Sequence, residues 1–337
     1  MRDADVQIGV VGTKIYTQDV LERFIHAERP IDVLVTVDPS QAAGMDIAGY
    51  HDIEPFAARH GIDVFHPETY GLRSTADQAA IETLDLDILF VAGWSRLIPE
   101  SVLQSLSVGA IGAHGSPDGL PSGRGRAVLN WALINGETEF RLSTFVLEPG
   151  VDDGDIIETV TFEITDFDTA STLRYKTWMA YADTVCNNWK SIVTNDFDAE
   201  PQSGAVTYYP KREPQDGSID WTKPATWLHR FVRALTRPYP GAMTELDGER
   251  LTIWRAVPFG QHLSPGTGTP GRVLKVFCDG ELLVETGGQP LLVTEFEGLD
   301  VRSIERGDVF ESIPHEKTLA EIRTRYPDEI SDEQKEI

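Results

Sequence analysis

Val6-Gln7-Ile8-Gly9-Val10-Val11-Gly12-Thr13, followed by a helix-like stretch from Gln18 to Ala27, is the part of the sequence that decides the fold. A short, nearly unbroken apolar run closing on glycines reads as a buried strand that feeds a tight turn. In the stretch that follows, Val20, Leu21, Phe24 and Ile25 recur at helical spacing and mark one apolar helix face. The pattern then repeats. Ile31–Val37 is a second strand stopped by Asp38-Pro39, Ile53–His60 a helix leading to Val64-Phe65, and Ile88–Ala92 another continuous apolar run bounded by Gly93.

Strands apolar throughout, alternating with helical segments, imply a mainly parallel sheet covered on both faces. The expected architecture is therefore α/β, a Rossmann-like, doubly wound domain. Gly9 and Gly12 do not complete a GxGxxG fingerprint, so the first turn reads as a plain strand-to-helix connection rather than a dinucleotide site. Further on, Arg126–Asn135 reads as a helix closed by Gly136. A long helix after Asp168 carries Tyr175, Trp178, Ala182, Val185, Trp189 and Ile192 along one face, an apolar stripe expected to be core.

Composition turns polar around Asn195–Val206, with Pro201 and Gly204, which places a domain boundary there. The expected division is residues 1–200 for the first domain, 205–312 for a second, and 313–337 for a charged tail that frays from about Tyr326. Leu228, Phe231, Val232 and Leu235 mark an amphipathic helix in the second domain. Short strand-like runs follow at 251–256, 271–277, 281–285 and 291–296, with a Pro/Gly-rich loop at 261–271. Short strands separated by glycine-containing turns suggest a small open barrel, OB-like in architecture.

The chain has 337 residues, 54 acidic against 29 basic, for a formal net charge of −25. The acids are spread along the whole sequence. Phosphate binding needs a basic footprint, so nucleic acid is disfavoured as a partner. The self-repulsion of such a surface is relieved by salt, the arrangement expected of halophilic proteins. No stretch approaches the ~20 apolar residues that span a bilayer, and no apolar leader opens the chain, so a cytoplasmic protein with no membrane partner is expected. Cys186 and Cys278 lie far apart, outside any CxxC pattern; two buried thiols are expected and no metal site.

The chemistry concentrates in residues 111–157. His114 follows an apolar strand and precedes a loop of small residues, the position where open α/β sheets place ligands. Asp152 and Asp155 lie on a glycine-containing turn, Glu148-Pro149-Gly150-Val151-Asp152-Asp153-Gly154-Asp155, after another strand. A His beside a carboxylate serves as general acid or base, because the carboxylate fixes the tautomer and stabilises the imidazolium.

The ordered set His114, Arg124-Gly125-Arg126, Asn130-Trp131, Asn135-Gly136-Glu137 and Asp152-x-Gly154-Asp155 resembles the formyltransferase family that uses 10-formyltetrahydrofolate. The likeness continues in Lys211-Arg212, Asp216-Gly217-x-Ile219-Asp220-Trp221 and Arg233-Ala234-Leu235-Thr236-Arg237-Pro238-Tyr239-Pro240-Gly241-Ala242, which look like the second domain of the methionyl-tRNA and amino-sugar members. The resemblance implies that His114 supplies a proton or hydrogen bond to the oxyanion of acyl transfer, and that Asp152 orients it and helps deprotonate the amine. It implies 10-formyltetrahydrofolate as formyl donor, held by Ala92, Gly93, Trp94, Arg126, Glu148, Pro149, Gly150, Val151 and Asp152, with no metal. The acceptor it implies is a small-molecule amine, foremost that of a nucleotide-linked amino sugar. A methionyl-tRNA formyltransferase, a 10-formyltetrahydrofolate hydrolase and a non-catalytic folate- or nucleotide-binding protein are the alternatives. A homodimer through the second domain or a sheet edge is compatible with the sequence.

The chain departs from the family at two places. Gly112 stands where the family has Asn two residues before the His, and the loop after Ser116 is two residues longer than its usual form. A backbone N–H, an ordered water, Ser116 or Asn130 is expected to take the missing amide's place.

The surface charge carries one prediction. The midpoint of thermal unfolding rises between 0.1 and 2 M KCl, as the screening length falls from about 10 Å to below about 3 Å. A melting temperature that is flat or falling over that range overturns the reading of salt adaptation.

Overall fold

The computed structural model describes residues 6–45, 47, 49–260 and 268–325. Two compact units divide the chain, and the division is not a single cut. The first takes residues 1–124, 141–162 and 175–206; the second takes 125–140, 163–174 and 207–337. The polar stretch at 195–206 thus ends the first unit, but two earlier segments also group with the second.

In the first unit β1 (Ile8–Val11), β2 (Val33–Val35), β3 (Asp63–Phe65), β4 (Ile88–Val91) and β5 (Gly109–Ser116) alternate with α1 (Ile15–His26), α2 (Pro39–Ala42), α3 (Glu54–His60), α4 (Thr75–Thr83) and α5 (Glu100–Ser105). The two-residue strand β6 (Arg124–Gly125) and α6 (Val128–Asn135) precede β7 (Glu139–Val146) and β8 (Ile156–Glu163). Seven strands form one sheet in the order β3-β2-β1-β4-β5-β7-β8. The pairs from β3 to β5 are parallel, and β7 runs antiparallel to β5. The sheet is therefore mainly parallel, as the unbroken apolar runs imply.

Alternation along the strands sends successive side chains to opposite faces. Ile8, Val10, Leu34, Phe90 and Ile111 enter a core with Val20, Leu21 and Phe24 of α1. Val11, Val33, Val35, Leu89 and Ala110 enter the opposite core with Ile81, Ile98 and Val102. The long helix after Asp168 is interrupted. α7 (Ala170–Asn187) stops one residue before α8 (Trp189–Val193), so Trp189 and Ile192 belong to a separate short helix. Tyr175, read as part of the apolar stripe, is 54% exposed and lies outside the core.

The second unit contains β9 (Tyr208–Tyr209), α9 (Ala225–Leu235), and a five-stranded antiparallel sheet of β10 (Ala242–Leu246), β11 (Glu249–Pro258), β12 (Val273–Val276), β13 (Leu282–Val284) and β14 (Leu291–Glu297), ordered β10-β11-β14-β13-β12. Register shifts in β11 and β12 bend the sheet at those strands, and it remains open, with β10 and β12 at its two edges. Trp221 is fully buried, stacked on Phe310 at 5.9 Å with its indole N–H donated to Thr244.

α6 explains why residues 125–140 join this unit. It is apolar on nearly every side, burying Val128, Trp131, Ala132, Leu133 and Ile134, and it packs on α9. Asn130 donates to the Ala234 carbonyl at 2.6 Å, Trp131 donates to the Pro210 carbonyl, and the Arg212 guanidinium stacks on the Trp131 ring. Gly136 closes α6 with φ +79°, a left-handed cap that glycine adopts without strain.

Within the segment read as a charged tail, α10 (His315–Arg325) is a helix that buries His315, Thr318 and Ile322. The frayed end expected from Tyr326 and residues 261–267 of the Pro/Gly-rich loop lie outside the described residues. Of the two thiols expected to be buried, Cys186 is, whereas Cys278 is exposed beside the turn before β13. Among the described residues no helix is long and apolar enough to cross a membrane.

His315 makes the stability of this fold sensitive to acid. Burial, reinforced by the positive charges of Arg212 and Lys223 and opposed by Glu316 and Asp220, pushes it down to about 4. The unfolded chain takes up a proton near its ordinary value while the folded chain does not, so stability is complete above pH 6.5 and is lost as pH falls toward 4. Urea unfolding of the wild type weakens by up to about 3 kcal/mol over that window, and His315→Phe flattens this part of the profile. An unchanged slope in the variant assigns the acid sensitivity to other groups.

Candidate active site

Strand β5, Gly109-Ala-Ile-Gly-Ala-His-Gly-Ser116, has one small side chain after another and reaches the end of the sheet with His114 exposed on one flank only. Its parallel pairing with β4 ends at Phe90↔Ile111, whereas its pairing with β7 continues through His114↔Ser143 to Ser116↔Arg141. The His114 backbone is therefore held from the β7 side, and its ring lies beyond the last paired residue of β4. Ligands gather at such carboxyl ends of parallel strands in open α/β sheets.

The turn from β7 to β8 brings the carboxylate to it. Val146 donates to the Asp155 carbonyl at 3.0 Å and Leu147 to the Ala110 carbonyl at 2.8 Å, closing the turn against β5. Gly154 is buried so tightly against the Val146 carbonyl that no side chain fits there. Asp152 takes φ +51°, a left-handed conformation that Asp tolerates better than most residues. Its Oδ2 lies 3.3 Å from His114 Nδ1, with both side chains largely shielded. His114 Nε2 lies 2.8 Å from the carbonyl oxygen of Gly123.

The Asp152 carboxylate and the Gly123 carbonyl thus face the two ring nitrogens and fix the orientation of the His114 imidazole.

The other residues expected at the site divide into groups. Ala92, Gly93 and Trp94 continue from the end of β4, all buried. Trp94 packs edge-on against Tyr70 at 4.6 Å, and its indole N–H is buried without an acceptor among the described residues. Glu148, Pro149 and Val151 are exposed on the same turn as Asp152, with Gly150 half-buried. Arg126 belongs to the second unit, its side chain exposed and its backbone N–H donated to the Tyr209 carbonyl. Of the two substitute donors, Ser116 is fully buried, its hydroxyl accepting from the Asp118 N–H, and Asn130 donates to the Ala234 carbonyl within the second unit. Among the described residues no cluster of three His, Cys, Asp or Glu side chains could hold a metal ion.

Three participants escaped sequence reasoning: the Gly123 carbonyl, Gln202 and Leu147. Gly112 and His114 project to the same face of β5, two residues apart. A side chain at 112 meets Leu147, whose Cδ1 would stand 2.5 Å from the new Cβ. An added side chain at 112 therefore needs the Leu147 side chain, on the turn that carries Asp152, to move aside.

Comparison with known proteins bears on this geometry. The formyl transferase model matches residues 7–183, and the formyl transferase C-terminal domain model matches residues 211–308. The chain belongs to the formyl transferase family. Its fold is shared with HypX from Aquifex aeolicus (TM-score 0.63, 18% identity), over 95% of this chain and 48% of that one, so the chain spans about half the length of HypX. It is also shared with an N-formyltransferase from Helicobacter canadensis in complex with folinic acid and dTDP-3-aminofucose (TM-score 0.60, 15% identity, 86% of this chain and 99% of that one). Methionyl-tRNA formyltransferase from Clostridium thermocellum matches with TM-score 0.55 and 16% identity, over 84% of this chain and 100% of that one.

The Gly112–Leu147 pair gives a testable coupling. Gly112→Asn alone destabilises by about 1–2 kcal/mol through overpacking, and Leu147→Ala in the same chain recovers most of that loss. Urea unfolding of the two single variants and the double variant measures the coupling; strictly additive effects mean that Leu147 does not fill the site.

Proposed function

We propose that this chain transfers the formyl group of 10-formyltetrahydrofolate to a small-molecule amine, and that the amine belongs to a nucleotide-linked amino sugar. The observation that carries the reading is the His114–Asp152 pair at the carboxyl end of β5, with the Gly123 carbonyl facing the other ring nitrogen. The sugar acceptor is favoured over tRNA by the net charge of −25, which repels a polyanion.

The end of β4 and the turn after β7 suit the donor. The buried Trp94 ring, packed edge-on against Tyr70, and its unsatisfied indole N–H suit a heteroaromatic ring that carries acceptor atoms. Ala92, Gly93 and Trp94, with Glu148–Asp152, would line it. The bound folate supplies the activated formyl carbon; the chain supplies position and proton. As the amine nitrogen bonds to that carbon, negative charge grows on the formyl oxygen, and His114 meets it with a proton or hydrogen bond. Asp152 keeps the ring oriented and helps take the proton that the amine loses. The oxyanion then returns to a carbonyl as the bond between the formyl carbon and the donor nitrogen breaks, and the amine's proton passes to that departing nitrogen.

Transfer from 10-formyltetrahydrofolate in molar salt, to a panel of nucleotide-linked amino sugars with Met-tRNA and no-acceptor controls, tests the proposal. Product forms on one sugar, and His114→Ala and Asp152→Asn each lower the rate by about 10²–10⁴-fold while folate binding persists. Formate without acceptor identifies a hydrolase, turnover of Met-tRNA alone overturns the sugar assignment, and folate binding without any product identifies a binding protein.

A further inference from the structure

Gln202 lies in the segment after α8 that composition marks only as a polar boundary. Its backbone is fixed two residues earlier, where Ile156 and Glu200 exchange both of their backbone hydrogen bonds at 2.8 Å. The side chain is used at both ends. Nε2 donates to the carbonyl oxygens of Asp152 and Gly154, each at 2.8 Å, and Oε1 accepts from Arg124 Nη2 at 2.7 Å. Both amide hydrogens are thus spent on the turn that carries Asp152. The acceptor is spent on the buried arginine that directly follows Gly123.

These contacts complete a ring around His114. Nδ1 faces Asp152; Asp152 is tied through its carbonyl to Gln202; Gln202 is tied to Arg124; and Arg124 is bonded to Gly123, whose carbonyl faces Nε2. We propose that Gln202 is a positioning residue for the reaction, one planar amide that sets both partners of the His114 ring; this rests on His114 and Asp152 acting as described above. Its leverage comes from Asp152, whose left-handed φ is a strained conformation that persists only where surrounding contacts impose it. The two carbonyls clamped by Gln202 flank Asp153 and lie on that strained turn.

Only an amide of this length offers two donors and an acceptor at once. Gln202→Glu keeps the length and the acceptor for Arg124 but turns a carboxylate toward two carbonyl oxygens. Gln202→Met keeps the length and offers none of the three bonds. The test reads the His114 imidazole nitrogens by NMR in the ligand-free chain, with the His114 signals identified by their absence from His114→Ala. It is therefore independent of whether any acceptor has been found.

In both Gln202 variants the His114 signals shift or broaden while those of the other histidines stay in place. With a working acceptor, kcat falls about 10–10²-fold, the scale of a displacement near 1 Å, and KM for the formyl donor stays close to the wild-type value. A purely structural role would lower the melting temperature and leave the His114 signals of the folded variant unmoved, and that result overturns the proposal. Should neither variant fold, Gln202→Asn, polar but one methylene short of the two carbonyls, takes their place with the same readouts. A wild type inactive on every acceptor, with His114 still responding to Gln202, refutes the reaction but not the clamp.

Discussion

The His114 ring is gripped on both nitrogens, by the Asp152 carboxylate and the Gly123 carbonyl, and much of the first unit serves that grip. It requires a strand that outruns one neighbour and stays paired to the other, so that the ring is fixed yet open on one flank. It requires a turn that passes close enough to β5 for Leu147 to bond the Ala110 carbonyl and for Asp152 to face Nδ1. It also requires a loop that folds back so that the Gly123 carbonyl meets Nε2. Each requirement is met by backbone geometry, which explains the small residues in this region: Gly112 and Gly154 stand where chain or side chain approaches closely, and Gly123 takes a left-handed φ of +75°.

The parallel half of the fold was legible because its strands are buried on both faces, which leaves the unbroken apolar signature seen at Val6–Val11 and Ile88–Ala92. His114 and Asp152 were legible because their neighbours, small residues and turns after strands, are chemical requirements of the site. What stayed hidden depends on partners distant in sequence. Gln202 is one polar residue in a polar stretch, and its importance lies in carbonyls some fifty residues away. Leu147 reads as the last residue of a strand, and its role over Gly112 exists only once β5 and β7 are paired. Tyr175 kept helical spacing with a buried stripe yet faces solvent, because the stripe reports which residues share a side and not where that side stops being covered.

The molecule treats charge in two ways. Its 54 acids outnumber its 29 bases and are spread along the whole chain. In the second unit cations are drawn inward instead. Arg212 stacks on Trp131 while burial holds it down to about 10, and Arg233, also lowered by burial, donates to the carbonyls of Thr165 and Asp168. Arginine suits such places, since its planar group stacks on rings and can satisfy several carbonyls at once.

α6 is encoded between β5 and β7 but packs on α9, which follows it by almost a hundred residues. Ribosomal synthesis delivers these two helices far apart in time. While the chain grows, Trp131, Leu133 and Ile134 leave the tunnel with nothing to cover them, and they wait until residues 225–235 arrive. The emerging first unit therefore carries a sticky, unfinished insert through most of its synthesis, and a chain stopped at residue 206 keeps that insert bare.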